Sequence, residues 1–142
     1  SDSKLILIGN GIMEGQVKQW CAELGVNKNV IFTGVRSDVS RLLSAMDVFV
    51  FPSLYEGMPN TVIEAQANGL PCVISDTITK EADITGLIRY MSLERSAEEW
   101  AAAVDEQMSM GRKDTRQAFI DAKYDINEVV KEFVSLVFQE GN

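Results

Sequence analysis

Residues 47–75 read Asp47-Val48-Phe49-Val50-Phe51-Pro52-Ser53-Leu54-Tyr55-Glu56-Gly57-Met58-Pro59-Asn60-Thr61-Val62-Ile63-Glu64-Ala65-Gln66-Ala67-Asn68-Gly69-Leu70-Pro71-Cys72-Val73-Ile74-Ser75. Two short apolar runs, Asp47 to Phe51 and Pro71 to Ser75, bracket a helical stretch. Pro52 breaks the first run, because it has no N–H to give a ladder. Pro59 suits the first turn of a helix, where its missing N–H is an orphan anyway. That helix is expected to reach about Asn68, with Val62, Ile63 and Ala67 available for packing and Gly69 as its stop. Strands that are apolar throughout and alternate with helices predict a parallel sheet covered on both faces.

The same alternation extends in both directions. Leu5-Ile6-Leu7-Ile8, ended by Gly9-Asn10-Gly11, reads as a buried strand and a tight turn. Glu14 to Leu24 is a helix with Val17, Trp20, Cys21 and Leu24 on one face, stopped by Gly25. Asn29 to Thr33 is the next strand, ended by Gly34. Ser37 or Asp38 can cap a helix whose apolar face carries Val39, Leu42, Leu43 and Met46. Gly86 to Tyr90 is a fifth strand. Ser96 with Glu99 forms a capping box that opens a helix through about Met108. Arg112 to Ala122 is a shorter helix. Asp125 with Glu128 opens a last one ending near Gly141, with Val129, Val130, Phe133, Leu136 and Val137 on a broad apolar face. The expected class is α/β, a Rossmann-like, mostly parallel sheet with helices on both faces. With 142 residues the chain is read as one domain, 1–142, with a β-α core at 4–90 and C-terminal helices at 96–140.

Composition narrows the function. Apolar residues at 46% and charged residues at 24% are the balance of a soluble globular protein. The net charge of -8 argues against nucleic acid or an anionic membrane surface as a broad partner. It leaves room for a small phosphorylated ligand held by backbone amides and one or two cations. The two cysteines, Cys21 and Cys72, have no metal-like spacing and read as buried free thiols, which suits a reducing, cytoplasmic compartment. No histidine is present, which removes a His triad, a His metal site and a His general base. No stretch approaches the length of a membrane span.

In an open parallel sheet, ligands sit beyond the C-terminal strand ends, near helix N-termini. Gly9 to Gly11, Gly34 to Arg36 and Pro52 to Thr61 qualify. The third is the most informative. Glu56 stands in the loop after a strand, and Glu64 in the second turn of the helix that follows. Between them Gly57, Met58, Asn60 and Thr61, around Pro59, offer N–H groups where the helix dipole favours negative charge. A diphosphate would rest on that helix start. Two carboxylates beside it would be repelled by it and would turn toward neutral diols, one the ribose and the other a sugar. The plainer alternative is a loop charge at Glu56 and a solvated helix residue at Glu64.

Glu56 and Glu64, inside Glu-Gly-Met-Pro and Glu-Ala-Gln-Ala-Asn-Gly-Leu-Pro, resemble the paired-glutamate signature of retaining GT-B glycosyltransferases. The frame agrees in Leu7-Ile8-Gly9-x-Gly11, Val30-x-Phe32-x-Gly34, Ala45-x-Asp47-Val48-Phe49-Val50, Pro52-Ser53 and Pro71-Cys72-Val73-Ile74-Ser75-Asp76. The resemblance is strong over residues 4 to 81 and weak beyond. It is to the large group 1 family of polysaccharide, lipopolysaccharide and capsule transferases, and closest to the capsular and exopolysaccharide members.

The resemblance implies transfer of a sugar from a nucleotide-diphosphate sugar to an acceptor hydroxyl with retention, in polysaccharide or glycolipid biosynthesis. It implies no protein-bound metal, no cofactor beyond the donor substrate, and UDP in preference to GDP. Glu64 would bind the ribose and Glu56 the donor sugar. Gly57 and Met58 would face the sugar, while Asn60 and Thr61 would hold the phosphates. Gly9 and Gly11 would allow close approach, and Thr33, Gly34 and Arg36 would line the base, with Arg36 alternatively a surface cation.

Measured against that family, the chain is expected to lack the first β-α unit of the donor domain, with its Arg and Lys, and the N-terminal acceptor-binding domain. Donor binding without transfer is then expected of it alone. A missing central strand would leave a gap to close, a groove, or an edge that recruits a second copy as a homodimer. Membrane association at the inner face, where it occurs, would come from the absent domain. A non-catalytic nucleotide-sugar-binding or regulatory module is the second reading. A nicotinamide oxidoreductase fits poorly, since Glu14 stands where a third glycine is needed.

Overall fold

A computed structural model describes residues 3–138. The element order is β1 (Leu5–Ile8), α1 (Glu14–Glu23), β2 (Val30–Gly34), α2 (Val39–Ser44), β3 (Phe49–Phe51), α3 (Asn60–Ala67), β4 (Cys72–Ser75), β5 (Ile88–Met91), α4 (Ala97–Met110), α5 (Arg116–Asp121) and α6 (Ile126–Phe138). Single 3-10 turns at Asn27–Asn29 and Lys80–Ala82 precede β2 and β5. The α/β class and Rossmann-like alternation are as expected, and every strand pair is parallel. The five strands form two sheets, β1-β2 and β3-β4-β5, within two compact units that divide after Val39.

In the first unit Leu5 to Leu7 pair with Val30 to Phe32 in register, and the register slips before Ile8 pairs with Gly34. Lys4 Nζ donates to the Lys28 carbonyl at 3.1 Å, and the Asn29 side-chain amide donates to the Ser3 carbonyl at 3.0 Å. These bonds fix the start of β1 to the turn before β2. Helix α1 buries Cys21 and half-buries Val17, whereas Trp20 and Leu24 remain exposed. Only part of the predicted face is therefore covered.

In the second unit β4 is central. Its four side chains alternate between faces and all are buried, so both faces of that sheet are covered. Phe49, Cys72 and Ile88 align across the sheet, as do Phe51, Ile74 and Tyr90. Helix α3 packs on β3 and β4 through Val62 and Ala65, and α4 packs on β4 and β5 through Ala103. Each fully buried aliphatic side chain here contributes roughly 1.5–3 kcal/mol against its exposed state. Leu43 of α2 and Leu70, Ile74, Ile78 and Leu87 complete the core.

The Ser96–Glu99 capping box forms as predicted, with the Ser96 hydroxyl accepting from Glu99 N and the Glu99 carboxylate accepting from Ser96 N at 2.9 Å. That backbone hydrogen bond, first among the causes, holds the Glu99 carboxyl below its ordinary range. Asp125 likewise accepts from the N–H groups of Asn127 and Glu128 at the head of α6. The shorter helix begins at Arg116 rather than Arg112, because Arg112 is engaged elsewhere. Among the described residues nothing covers the predicted face of α6, with Phe133 62% and Leu136 66% exposed. The predicted end of α6 near Gly141 lies outside the described residues.

Candidate functional site

The chain leaves β3 at Phe51 and turns through Pro52 to Pro59 before α3 begins at Asn60. Pro59 is the N-cap, one residue earlier than its predicted place. It supplies no side-chain cap, while its carbonyl accepts from Val62 N at 2.9 Å and Ile63 N at 3.2 Å. Among the described residues, the N–H groups of Asn60 and Thr61 have no acceptor. They are the orphan donors that a helix start presents, and both residues are exposed.

Glu56 is half-buried, and one carboxylate oxygen accepts from the Ser53 hydroxyl at 2.9 Å. Glu64 is exposed on the second turn of α3. Its backbone carbonyl accepts from Asn68, while among the described residues its carboxylate has no partner. The two carboxylates therefore differ in kind: Glu56 is held in place and Glu64 is free. A β-carbon on Gly57 would meet nothing within 4 Å, so the loop leaves open space there. Leu54, Tyr55 and Met58 expose large apolar surfaces on the same loop, at 81%, 83% and 45%. Among the described residues no group of His, Cys, Asp and Glu could hold a metal ion.

The first-unit residues singled out in the sequence also cluster. Gly9 N donates to the Gly34 carbonyl at 2.9 Å, and the Thr33 hydroxyl has the Gly34 carbonyl at 3.0 Å and the Leu7 carbonyl at 3.3 Å as acceptors. Gly9 and Gly34 have φ of 117° and 64°, left-handed conformations that glycine adopts without strain. Among the described residues, chain neighbours aside, no atom lies within 4 Å of where a β-carbon on Gly9, Gly11 or Gly34 would stand. Arg36 is a different matter. Its Nε and Nη2 both meet the Asp38 carboxylate at 2.8 Å, which raises the Arg36 pKa and lowers that of Asp38 through their hydrogen bond. Arg36 is exposed, and this pair engages two of its five N–H donors.

Sequence reasoning missed the supports of the loop and helix. Gln66, fully buried on α3, donates to the Ala82 carbonyl at 2.7 Å and accepts from Ile84 N, Thr85 N and the Thr85 hydroxyl. Arg112 donates to the carbonyls of Asn68, Leu43 and Met46, at the C-terminal ends of α3 and α2. A polar Gln one helical turn on from Val62 and next to Ala65, both buried on α3, was the one signal available for the first. Nothing local signals the second.

Parallel strands alternating with helices in a Rossmann-like order are the fold of a GT-B-type glycosyltransferase domain. The chain belongs to the glycosyl transferases group 1 family, whose sequence profile matches residues 1–109. EpsF of Bacillus subtilis (strain 168), named as a glycosyltransferase, is 38% identical over 110 residues, covering 77% of this chain and 29% of EpsF. The UDP-Gal:alpha-D-GlcNAc-diphosphoundecaprenol alpha-1,3-galactosyltransferase of Escherichia coli is 40% identical over 76 residues, or 53% of this chain and 20% of that protein. Among solved structures, the apo form of the lipopolysaccharide outer core galactosyltransferase WaaB superposes with a TM-score of 0.70 at 23% identity, over 96% of this chain and 41% of WaaB. The last is a likeness of fold. The chain spans less than a third of the length of the two relatives. No helix among the described residues is long and apolar enough to cross a membrane.

Proposed function

We propose that this chain binds the donor of a retaining glycosyltransferase of the paired-glutamate type, in polysaccharide or glycolipid biosynthesis. The observation that carries the reading is the uncapped start of α3 with Glu56 held on one side and Glu64 free on the other. The donor's diphosphate takes the N–H groups of Asn60 and Thr61, with Gly57, Met58 and Pro59 shaping the approach. Glu64 accepts from the ribose hydroxyls and Glu56 from those of the sugar. In the proposed reaction the bond from the anomeric carbon to the diphosphate oxygen breaks and one to the acceptor oxygen forms. The diphosphate departs with the electron pair, and the acceptor proton passes to that leaving oxygen or to water. The helix start stabilises the charge gathering on that leaving group.

A UDP-sugar is the proposed donor, in keeping with the substrate named for the Escherichia coli relative. Residues 1–142 act as the donor-binding domain, an acceptor-binding domain supplies the other substrate, and the setting is cytoplasmic. Gly9, Gly11, Thr33 and Gly34 are proposed to face the nucleotide. Arg36 stays in that set as a proposal, since its pair with Asp38 engages two of its five N–H donors.

The test is a ligand-observed NMR screen of UDP, GDP, UDP-glucose, UDP-N-acetylglucosamine and GDP-mannose, repeated with Glu64→Ala. Loss of a charge-assisted hydrogen bond is expected to weaken nucleotide binding by roughly ten- to a hundredfold. Binding that survives Glu64→Ala unchanged would overturn the assignment. Tight binding without turnover, even with an acceptor domain supplied, would favour the non-catalytic module.

A further inference from the structure

Four hydroxyl and carboxylate groups connect the buried end of β4 to Glu56. Ser75, the last residue of β4, is fully buried. Its Oγ lies 2.7 Å from the Thr77 hydroxyl and accepts from Thr77 N at 3.2 Å. The Thr77 hydroxyl lies 3.1 Å from the Ser53 carbonyl, and the Ser53 hydroxyl lies 2.9 Å from a Glu56 oxygen.

Donor and acceptor rules fix the direction of this chain. A carbonyl only accepts, so Thr77 donates to Ser53. Its single hydrogen is then committed, so Ser75 donates to Thr77. The Ser53 hydroxyl has two acceptors in reach, and its hydrogen goes to the nearer, Glu56 at 2.9 Å, rather than to the Tyr55 carbonyl at 3.3 Å.

The Thr77 end is the fixed one. Two residues on, the Thr79 carbonyl accepts from the Tyr90 hydroxyl at 3.3 Å, and Lys80 sits over the Tyr90 ring. Gln66 grips the Ala82 carbonyl beyond. The segment from Ser75 to Ala82 is thereby anchored to β4, β5 and α3, while the Leu54–Tyr55 stretch is open to solvent.

We infer that Thr77 and Ser53 are positioning residues for Glu56, setting the carboxylate that recognises the transferred sugar from the buried end of β4. The second half of that statement rests on the proposed role of Glu56; the first does not. Thr77→Val keeps the shape and removes the hydroxyl, and Thr77→Ser restores it.

Two readouts test the inference on the full chain. In amide NMR spectra, Thr77→Val is expected to shift the signals of residues 53–57 and leave those of 61–67 in place, with Thr77→Ser returning them. In binding, it is expected to lower the affinity for UDP-glucose relative to UDP by roughly three- to tenfold, as Glu56→Gln does, with little change for UDP itself. Unmoved loop signals would overturn the inference, and so would an unchanged ratio in Thr77→Val beside a reduced one in Glu56→Gln. If neither nucleotide binds, or Glu56→Gln leaves the ratio alone, the proposed function fails at that point and the amide signals alone decide whether Thr77 positions the loop. A fold-wide loss of signals in Thr77→Val is resolved by Ser53→Ala, which breaks the same chain one link later.

Discussion

Gly69 and Lys113 lie against each other backbone to backbone. Lys113 N donates to the Gly69 carbonyl at 3.1 Å, and the Lys113 carbonyl oxygen occupies the place where a β-carbon on Gly69 would stand. Gly69 also has φ of 67°. Two independent penalties therefore fall on any side chain there, one from the left-handed backbone and one from overlap with the carbonyl of a residue whose own N–H is bonded to Gly69. Gly69→Ala is expected to destabilise the second unit by about 3 kcal/mol or more. Gly86, with φ of 71° and open space around it, suffers the first penalty alone. Gly86→Ala is expected to cost about 1 kcal/mol. Urea unfolding followed through the amides of β4 separates the two; equal losses would show that the Lys113 segment moves aside freely.

Gln66 completes four hydrogen bonds to a loop that has no regular structure of its own, between Ala82 and Thr85. Replacement by leucine fills the space but leaves the Ala82 carbonyl and two backbone N–H groups without partners. Burying such groups unpaired costs about 1–3 kcal/mol each, less whatever water recovers. Gln66→Leu is therefore expected to lose about 2–4 kcal/mol and to speed hydrogen exchange at Ile84 and Thr85 first. Slow exchange retained at those two amides would mean that the loop holds itself.

The contrast between legible and illegible parts has a physical basis. Helices and strands around residues 47–75 follow from local features: the apolar runs, Pro52, Pro59 and Gly69. Their observed limits fall within two residues of expectation, the largest difference being at β3, which starts at Phe49 rather than Asp47. Burial was less legible. β1 and β4 are both apolar runs, yet Leu5 is 50% exposed while β4 is wholly buried with α3 and α4 packed on it. The same holds for α6, whose apolar face is evident from the sequence while its cover is not a property of the helix. At the site, Glu56 and Glu64 could be picked out from spacing and resemblance. That Ser53 holds one and nothing holds the other depends on side-chain directions within a loop, and Thr77 reaches that loop from 24 residues away.

Arg112 illustrates the same limit with a measurable consequence. Its guanidinium spans the ends of two helices, meeting Asn68 O at 2.7 Å, Leu43 O at 2.5 Å and Met46 O at 2.6 Å. A cation at a helix C-terminus meets both orphan carbonyls and the negative end of the dipole. Lysine carries the charge but lacks the planar fork that reaches three acceptors at once. Arg112→Ala is expected to cost about 2 kcal/mol, and Arg112→Lys to recover less than half of it. Equal stability of the lysine variant and the parent would show that charge, rather than directed hydrogen bonds, is what matters at this junction.

Cys72 makes the stability depend on alkaline pH. Burial in β4, with the charge of Asp83 second, pushes its thiol up to about 12. In the unfolded chain the thiol ionises near its ordinary value of about 8.5. Below that pH both states hold the proton and Cys72 adds no pH dependence. Above it the unfolded chain has released a proton that the folded chain still binds, so stability falls as pH rises, by up to about 1.4 kcal/mol per unit until the folded thiol itself titrates. Cys72→Ala loses buried packing and is expected to be less stable than the parent at pH 7, but its own decline between pH 9 and 11 should be shallower. The gap between the two should therefore narrow across that range in urea unfolding, since the tyrosines and lysines titrate alike in both. A constant gap would mean that the folded thiol ionises as readily as the unfolded one. In that case the folded chain would also react with a thiol-alkylating reagent at Cys72 without first opening β4.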